Sequence, residues 1–139
     1  MTSTISDTTF RTDRVALARE IGESLRPEVP ERDRTGEISV AAFDLLRSSG
    51  LSAALVPVEF GGGGASHAEM GAILRELGRH DPSTAVAFAM HSHLVAAQVW
   101  RHKHGVDASA VFAKVAAGAI LVSTGASDWV DSNGQAERV

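Results

Sequence analysis

Two helix-start signals follow one another with no linker between the helices they open, and this constrains the fold more than anything else in the chain. Ser66-His67-Ala68-Glu69 is a capping box, in which the serine hydroxyl takes an orphan backbone N–H and the glutamate reaches back three residues. Met70, Ile73, Leu74 and Leu77 then fall at i, i+3, i+4 and i+7, a single apolar stripe. Asp81-Pro82 is the next start, with Asp as N-cap and Pro in the first turn. The helix it opens runs to about Lys103 and is apolar nearly all round from Ala85 to Trp100, which makes it central.

The same reading predicts a first helix over 12–26, with Val15, Ala18, Gly22 and Leu25 along one stripe. Pro27 and Pro30 end it, and 31–37 is a polar connector. A second helix opens at Ser39, carries Val40, Phe43 and Leu46 inward and stops at Gly50. A short apolar link, 51–56, leads through Pro57-Val58-Glu59-Phe60 into four consecutive glycines, Gly61 to Gly64. Such a corner has no side chains, so backbone can approach another element or a ligand closely, though a plain flexible corner is the simpler reading. Gly105 stops the long helix, and Asp107 caps a fifth, shorter one that ends near Gly118. The expected fold class is therefore all-α, a bundle of about five helices.

After it the pattern changes. Ile120-Leu121-Val122 is aliphatic and β-branched at both ends, which reads as a strand without a partner elsewhere in the chain. An unpaired strand leaves its ladder donors and acceptors unsatisfied. The expected organisation is thus a disordered start over 1–11, a helical domain over 12–118, and over 119–139 the first strand and turn of an incomplete β domain. The chain reads as the front of a larger protein.

Composition excludes several function classes. The 139 residues carry a formal net charge of −4, and the arginines near the start are interleaved with acids. Nucleic acid and anionic membrane both need a basic face, so neither is expected as a partner. With no cysteine, disulfides, thiol catalysis and cysteine-ligated metal are excluded for this chain, and a cytoplasmic location is compatible. Residues 1–9 are polar, without the basic start and apolar run of a signal peptide. The nearly uncharged stretch 82–100 contains His91, Ser92, His93 and Gln98 and reads as a buried helix, not a membrane span.

Candidate chemistry is sparse. The four glycines lack the spacing of a dinucleotide fingerprint. His91/His93 and His102/His104 are two residues apart, so on a helix each pair points in opposed directions and cannot chelate; no metal is expected. No Gly-x-Ser-x-Gly elbow is present. Ser123-Thr124-Gly125-Ala126-Ser127-Asp128 gathers hydroxyls and small residues after the expected strand, which suits a flavin edge or a phosphate as well as an ordinary polar turn.

Several of these pieces, in this order, resemble the N-terminal helical domain of the acyl-CoA dehydrogenase family. They are Gly50-Leu51 leading into Val56-Pro57-Val58-Glu59-Phe60 and the glycines, then Arg75-Glu76-Leu77-Gly78-Arg79, then Asp81-Pro82-Ser83-Thr84-Ala85 and the alanine-rich helix. The stretch 120–128 resembles the family's first middle-domain strand and flavin-contacting turn. The resemblance implies a three-domain flavoprotein, homo-oligomeric when complete, with FAD (FMN as the alternative) between domains. The implied reaction is α,β-dehydrogenation of an acyl-CoA thioester, in which a carboxylate base removes the α-proton and a hydride passes to the flavin. The family's catalytic glutamate belongs to a C-terminal bundle outside this sequence, so no catalytic residue is assigned. Glu59 reads as a brace for the glycine corner and Glu76 as a helix-surface carboxylate.

The resemblance also implies flavin contacts at Val122, Ser123, Thr124 and Ser127, with Val122 and Ser123 at the pyrimidine edge and Ser127 near the pyrophosphate. Phe88, Met90, His91 and Leu94 lie on the helix that in relatives flanks the acyl tail, where core packing is the other role open to them. The turn is shorter than the family's usual Thr-Glu-Pro and Gly-Ser-Asp pattern. That departure leaves room for a divergent branch, including flavin-dependent monooxygenases on the same fold that take another small apolar substrate. A non-catalytic helical module docking onto a full-length relative is the alternative from a different class. On either reading this chain alone is expected to be inactive.

Overall fold

The Asp13 carboxylate accepts hydrogen bonds from the Val15 and Ala16 N–H groups and so opens helix α1, Arg14–Leu25. From this cap onward a computed structural model describes residues 13–122. The other helices are α2 (Val29–Thr35), α3 (Val40–Ser48), α4 (His67–His80), α5 (Pro82–Lys103) and α6 (Ser109–Ala116), with single turns of tighter helix at Arg26–Glu28, Leu51–Ala53 and Val58–Phe60. The all-α expectation holds, and α2 is an addition to it.

Both start signals cap their helices at the residues read. Ser66 Oγ accepts from Glu69 N–H at 3.1 Å, and Asp81 Oδ1 accepts from Thr84 N–H at 3.1 Å. Met70, Ile73 and Leu77 are buried, with Leu74 half-buried beside them. Helix α4 packs on α1 along one side and on α5 along the other. The α1 contact is close because Gly22 has no side chain: a Cβ there would meet the His80 ring at 2.8 Å. Phe88 and Phe112 are fully buried, and burying one such ring contributes on the order of 3 kcal/mol.

Several expectations are corrected. The connector at 31–37 is mostly helical, because Pro27 and Pro30 sit in first turns, where a missing N–H costs nothing. Ile21 joins the buried stripe of α1, while Val15 stays half-buried. In α3 Leu46 is buried and Phe43 packs partly on the core as expected, and Ala42 joins them, while Val40 is 69% exposed and does not enter the core. Glu76 is not a surface carboxylate. It is buried, because α1 brings Arg19 across to it at 3.1 Å and Arg79 reaches it at 3.0 Å from the same helix. The Arg19 hydrogen bond holds its carboxyl below the ordinary carboxylate range. Asp107 accepts from Ser109 N–H at 2.9 Å, but Ala108 occupies the N-cap position of α6.

The strand expected at 120–122 is not formed among the described residues. Leu121 N–H donates instead to a side chain, His91 Nδ1, at 3.0 Å. A ladder needs a neighbouring strand, and the described residues hold none.

Candidate functional site

The glycine corner folds back on the 51–56 link. Gly63 N–H donates to Ala53 O, Gly64 N–H to Val56 O and Ala65 N–H to Ala54 O, at 2.8–3.1 Å. Of the two readings, close backbone approach is the one observed: a Cβ on Gly63 would lie 2.9 Å from Ala54 O. Glu59, the expected brace, is exposed. Arg14 takes that role, donating through Nη2 to Gly63 O at 2.7 Å and through Nη1 to Glu69 Oε1 at 2.8 Å. One guanidinium thus ties α1, the corner and the start of α4. Replacing Arg14 with Ala is expected to cost about 2 kcal/mol, since two charge-assisted bonds at a part-buried site are lost. Urea unfolding of the variant checks this.

An open apolar concavity shares Arg47 and Gly118 with the hollow beside the glycine corner. A groove of about 630 Å³ is lined by Ile38, Val40 and Phe43 from the start of α3, Ala87 and Met90 from α5, and residues 118–122. Ile38 (79%), Val40 (69%) and Val122 (83%) are far more exposed than such side chains usually are. Arg47 also lines it, and its guanidinium already donates to Gly118 O and Asp44 Oδ1, both at 3.0 Å. The lining therefore suits hydrocarbon or an apolar ring system. It offers no uncommitted cation for a phosphate.

Among the residues read as a substrate pocket, Met90 lines this groove, and half-buried Leu94 lies one turn further along the same stripe. Phe88 and His91 do not line it; both are buried, with their ring centroids stacked 5.8 Å apart. Of the flavin-contact positions, Val122 is on the rim of the groove; Ser123, Thr124 and Ser127 lie outside the described residues. The α3 contribution was missed in the sequence. Ile38 and Val40 carry no signal other than hydrophobicity, and that signal pointed Val40 inward.

The histidines do not converge. His93 is exposed, and His104 stacks on Trp100 and donates to its carbonyl oxygen at 2.7 Å. His102 packs edge-on against Phe60 and Phe112. Among the described residues, no three His, Asp or Glu side chains are grouped to hold a metal ion. No helix there is long and apolar enough to cross a membrane.

Residues 12–119 match the family described as acyl-CoA dehydrogenase, N-terminal domain. The chain is 41% identical over 85 residues to a protein of Pseudomonas putida named a probable FMNH2-dependent monooxygenase, SfnC, covering 61% of this chain and 21% of that protein. It is 40% identical over 79 residues to a dibenzothiophene monooxygenase of Rhodococcus erythropolis, covering 57% and 19%. A dibenzothiophene monooxygenase of Mycolicibacterium goodii matches at 33% over 95 residues, covering 66% and 23%. The chain spans about a fifth of the length of these relatives. No solved structure matches it significantly. The corner, the two abutting helix starts and the central helix lie within the matched residues, and the match covers most of the chain, so this protein belongs to the acyl-CoA dehydrogenase family, of which it carries the N-terminal helical domain.

Proposed function

We propose that the chain forms one wall of the chamber of a flavin-dependent monooxygenase that oxygenates a small apolar substrate. The reading rests on its 41% identity to the FMNH2-dependent monooxygenase relative, and the apolar groove is compatible with it. Met90, Leu121 and Val122 would supply the apolar side of the chamber, excluding water from the reacting centre. The polar edge and phosphate of the flavin would be held by Ser123, Thr124 and Ser127 and by domains beyond this chain. When bound and reduced, the flavin supplies electrons for the activation of dioxygen. FMN is the favoured cofactor on this reading, and the complete protein would be a homo-oligomer.

Dehydrogenation of an acyl-CoA thioester with FAD is the second reading, favoured by the family match. A chimera separates the two. Residues 1–139 replace the matching stretch of a dibenzothiophene monooxygenase, which is then supplied with FMNH2, labelled dioxygen and dibenzothiophene. Label appearing in an oxygenated product is the expected result. Dye reduction driven by acyl-CoA, with no label in any product, would overturn the monooxygenase reading in favour of the second. The isolated chain, with its groove open, is expected to emerge from gel filtration free of added FMN or FAD, as read by its visible spectrum. A stoichiometric flavin band would contradict the one-wall picture.

A further inference from the structure

His91 is 1% exposed and uses both ring nitrogens. Nε2 lies 2.7 Å from the Ser52 carbonyl oxygen, and Nδ1 lies 3.0 Å from Leu121 N. A carbonyl oxygen only accepts and a backbone N–H only donates. The ring must therefore carry its proton on Nε2 and present a lone pair at Nδ1. That is one tautomer, and it is neutral.

The two partners come from segments far apart in sequence. Ser52 belongs to the link under the glycine corner, which is buried from Leu51 to Val56. Leu121 belongs to the outgoing chain that forms one side of the apolar groove. Gly118 and Ala119 are held to the end of α6, their N–H groups donating to Val115 O and Lys114 O at 2.9 Å; past them the chain leaves the helix, and Leu121 N–H turns to His91. Val122 is 83% exposed, and Gly118 is tied through its carbonyl to the exposed side chain of Arg47.

We propose that His91 is a positioning residue: a neutral, Nε2-protonated clip that fixes residues 120–122 across α5 and thereby sets the wall of the groove. This goes beyond the monooxygenase reading and does not depend on it. The clip is inherently acid-sensitive, because a proton on Nδ1 turns the acceptor into a donor facing another donor. The groups facing the ring are the Ser52 carbonyl, the Leu121 N–H and the Phe88 ring, none of which titrates. Burial holds the imidazole below its ordinary value of 6.5, against the Ser52 hydrogen bond, so the clip stays closed near neutrality and opens only in acid.

The test is NMR on the whole chain. At neutral pH the His91 ring is expected to show a bare Nδ1 and a protonated Nε2; the opposite tautomer, or an imidazolium, would overturn the proposal without any variant being made. Hydrogen exchange then reads the clip itself. In His91→Phe the protection factor of the Leu121 amide is expected to fall about tenfold, the loss appropriate to one hydrogen bond, while Ile73 and Leu77 in α4 keep theirs. His91→Gln, whose amide has both a donor and an acceptor, is expected to restore part of it. Acidification of the wild type is expected to lower Leu121 protection selectively. Leu121 protection that tracks α4 in every variant and at every pH would show a merely space-filling histidine. If His91→Phe does not fold, the wild-type tautomer and acid titration still decide the matter.

Discussion

Gly62→Ala is expected to destabilise the fold by about 3 kcal/mol, the upper end of what overpacking a filled site costs. A methyl group at this position would overlap the carbonyl oxygen and the Cβ of Val56. Neither can retreat easily. Val56 is fully buried, and its carbonyl accepts from Gly64 N–H at 2.9 Å, one of the bonds that close the corner. The corner must therefore open or the link must shift, and the link also carries the Ser52 carbonyl that His91 holds.

Gly71→Ala provides the contrast. Gly71 lies exposed in the middle of α4 with nothing within 4 Å of an added Cβ, so alanine there is expected to stabilise by about 1 kcal/mol through helix propensity. Urea unfolding of the two variants gives shifts of opposite sign. Equal tolerance of both would mean that the corner is loose and its glycines are interchangeable.

Asp81→Ala is expected to cost about 4 kcal/mol, in the range for breaking one partner of a buried ion pair. The Asp81 side chain is fully buried and that of Arg32 nearly so, with Arg32 Nη2 at 2.8 Å from Oδ2. The same carboxylate accepts from Thr84 Oγ1 at 2.6 Å and caps α5 through Thr84 N–H. Its removal strands the guanidinium and uncaps the central helix together. Asp81→Asn keeps a capping oxygen but not the charge, and is expected to fall between wild type and alanine.

Burial pushes the Asp81 carboxyl up, but the hydrogen bonds from Arg32 and Thr84 more than offset this and leave it below its ordinary value of 3.8. A depressed carboxylate stabilises the fold fully above the unfolded value, and that contribution drains away as pH falls through the folded one. Thermal melts of wild type and Asp81→Asn are therefore expected to converge in strong acid, below about pH 4. The His91 contribution is lost earlier. Its imidazole is depressed, so the unfolded chain takes up the proton first, and stability begins to fall once pH drops below the ordinary value of 6.5. An acid melt with a single loss near neutrality, unaffected by Asp81→Asn, would contradict this division.

Much of the scaffold was legible in the order of residues, because the signals involved are local. Ser66 needs only Glu69 three positions on to form its cap, and Asp81 needs only Thr84. The stripe Met70, Ile73 and Leu77 follows from helix pitch alone. The site was harder to see. Arg14 meets Gly63, Arg32 meets Asp81, and His91 meets Ser52 and Leu121, each across dozens of positions with no spacing rule to announce it.

The linear order of residues was enough to establish the helical class, the caps that open α3, α4 and α5, the tight glycine bend and the family. Each of these follows from hydrogen bonds or apolar periodicity within a few residues, or from a run of such features in sequence. That Val40 stayed outside, that Glu76 went inside, and that His91 became a buried clip behind the groove wall depended on which helices came to lie against each other. A polar side chain carries no mark of its future partner, and hydrophobicity alone does not say whether Val40 will enter a core or line an open groove.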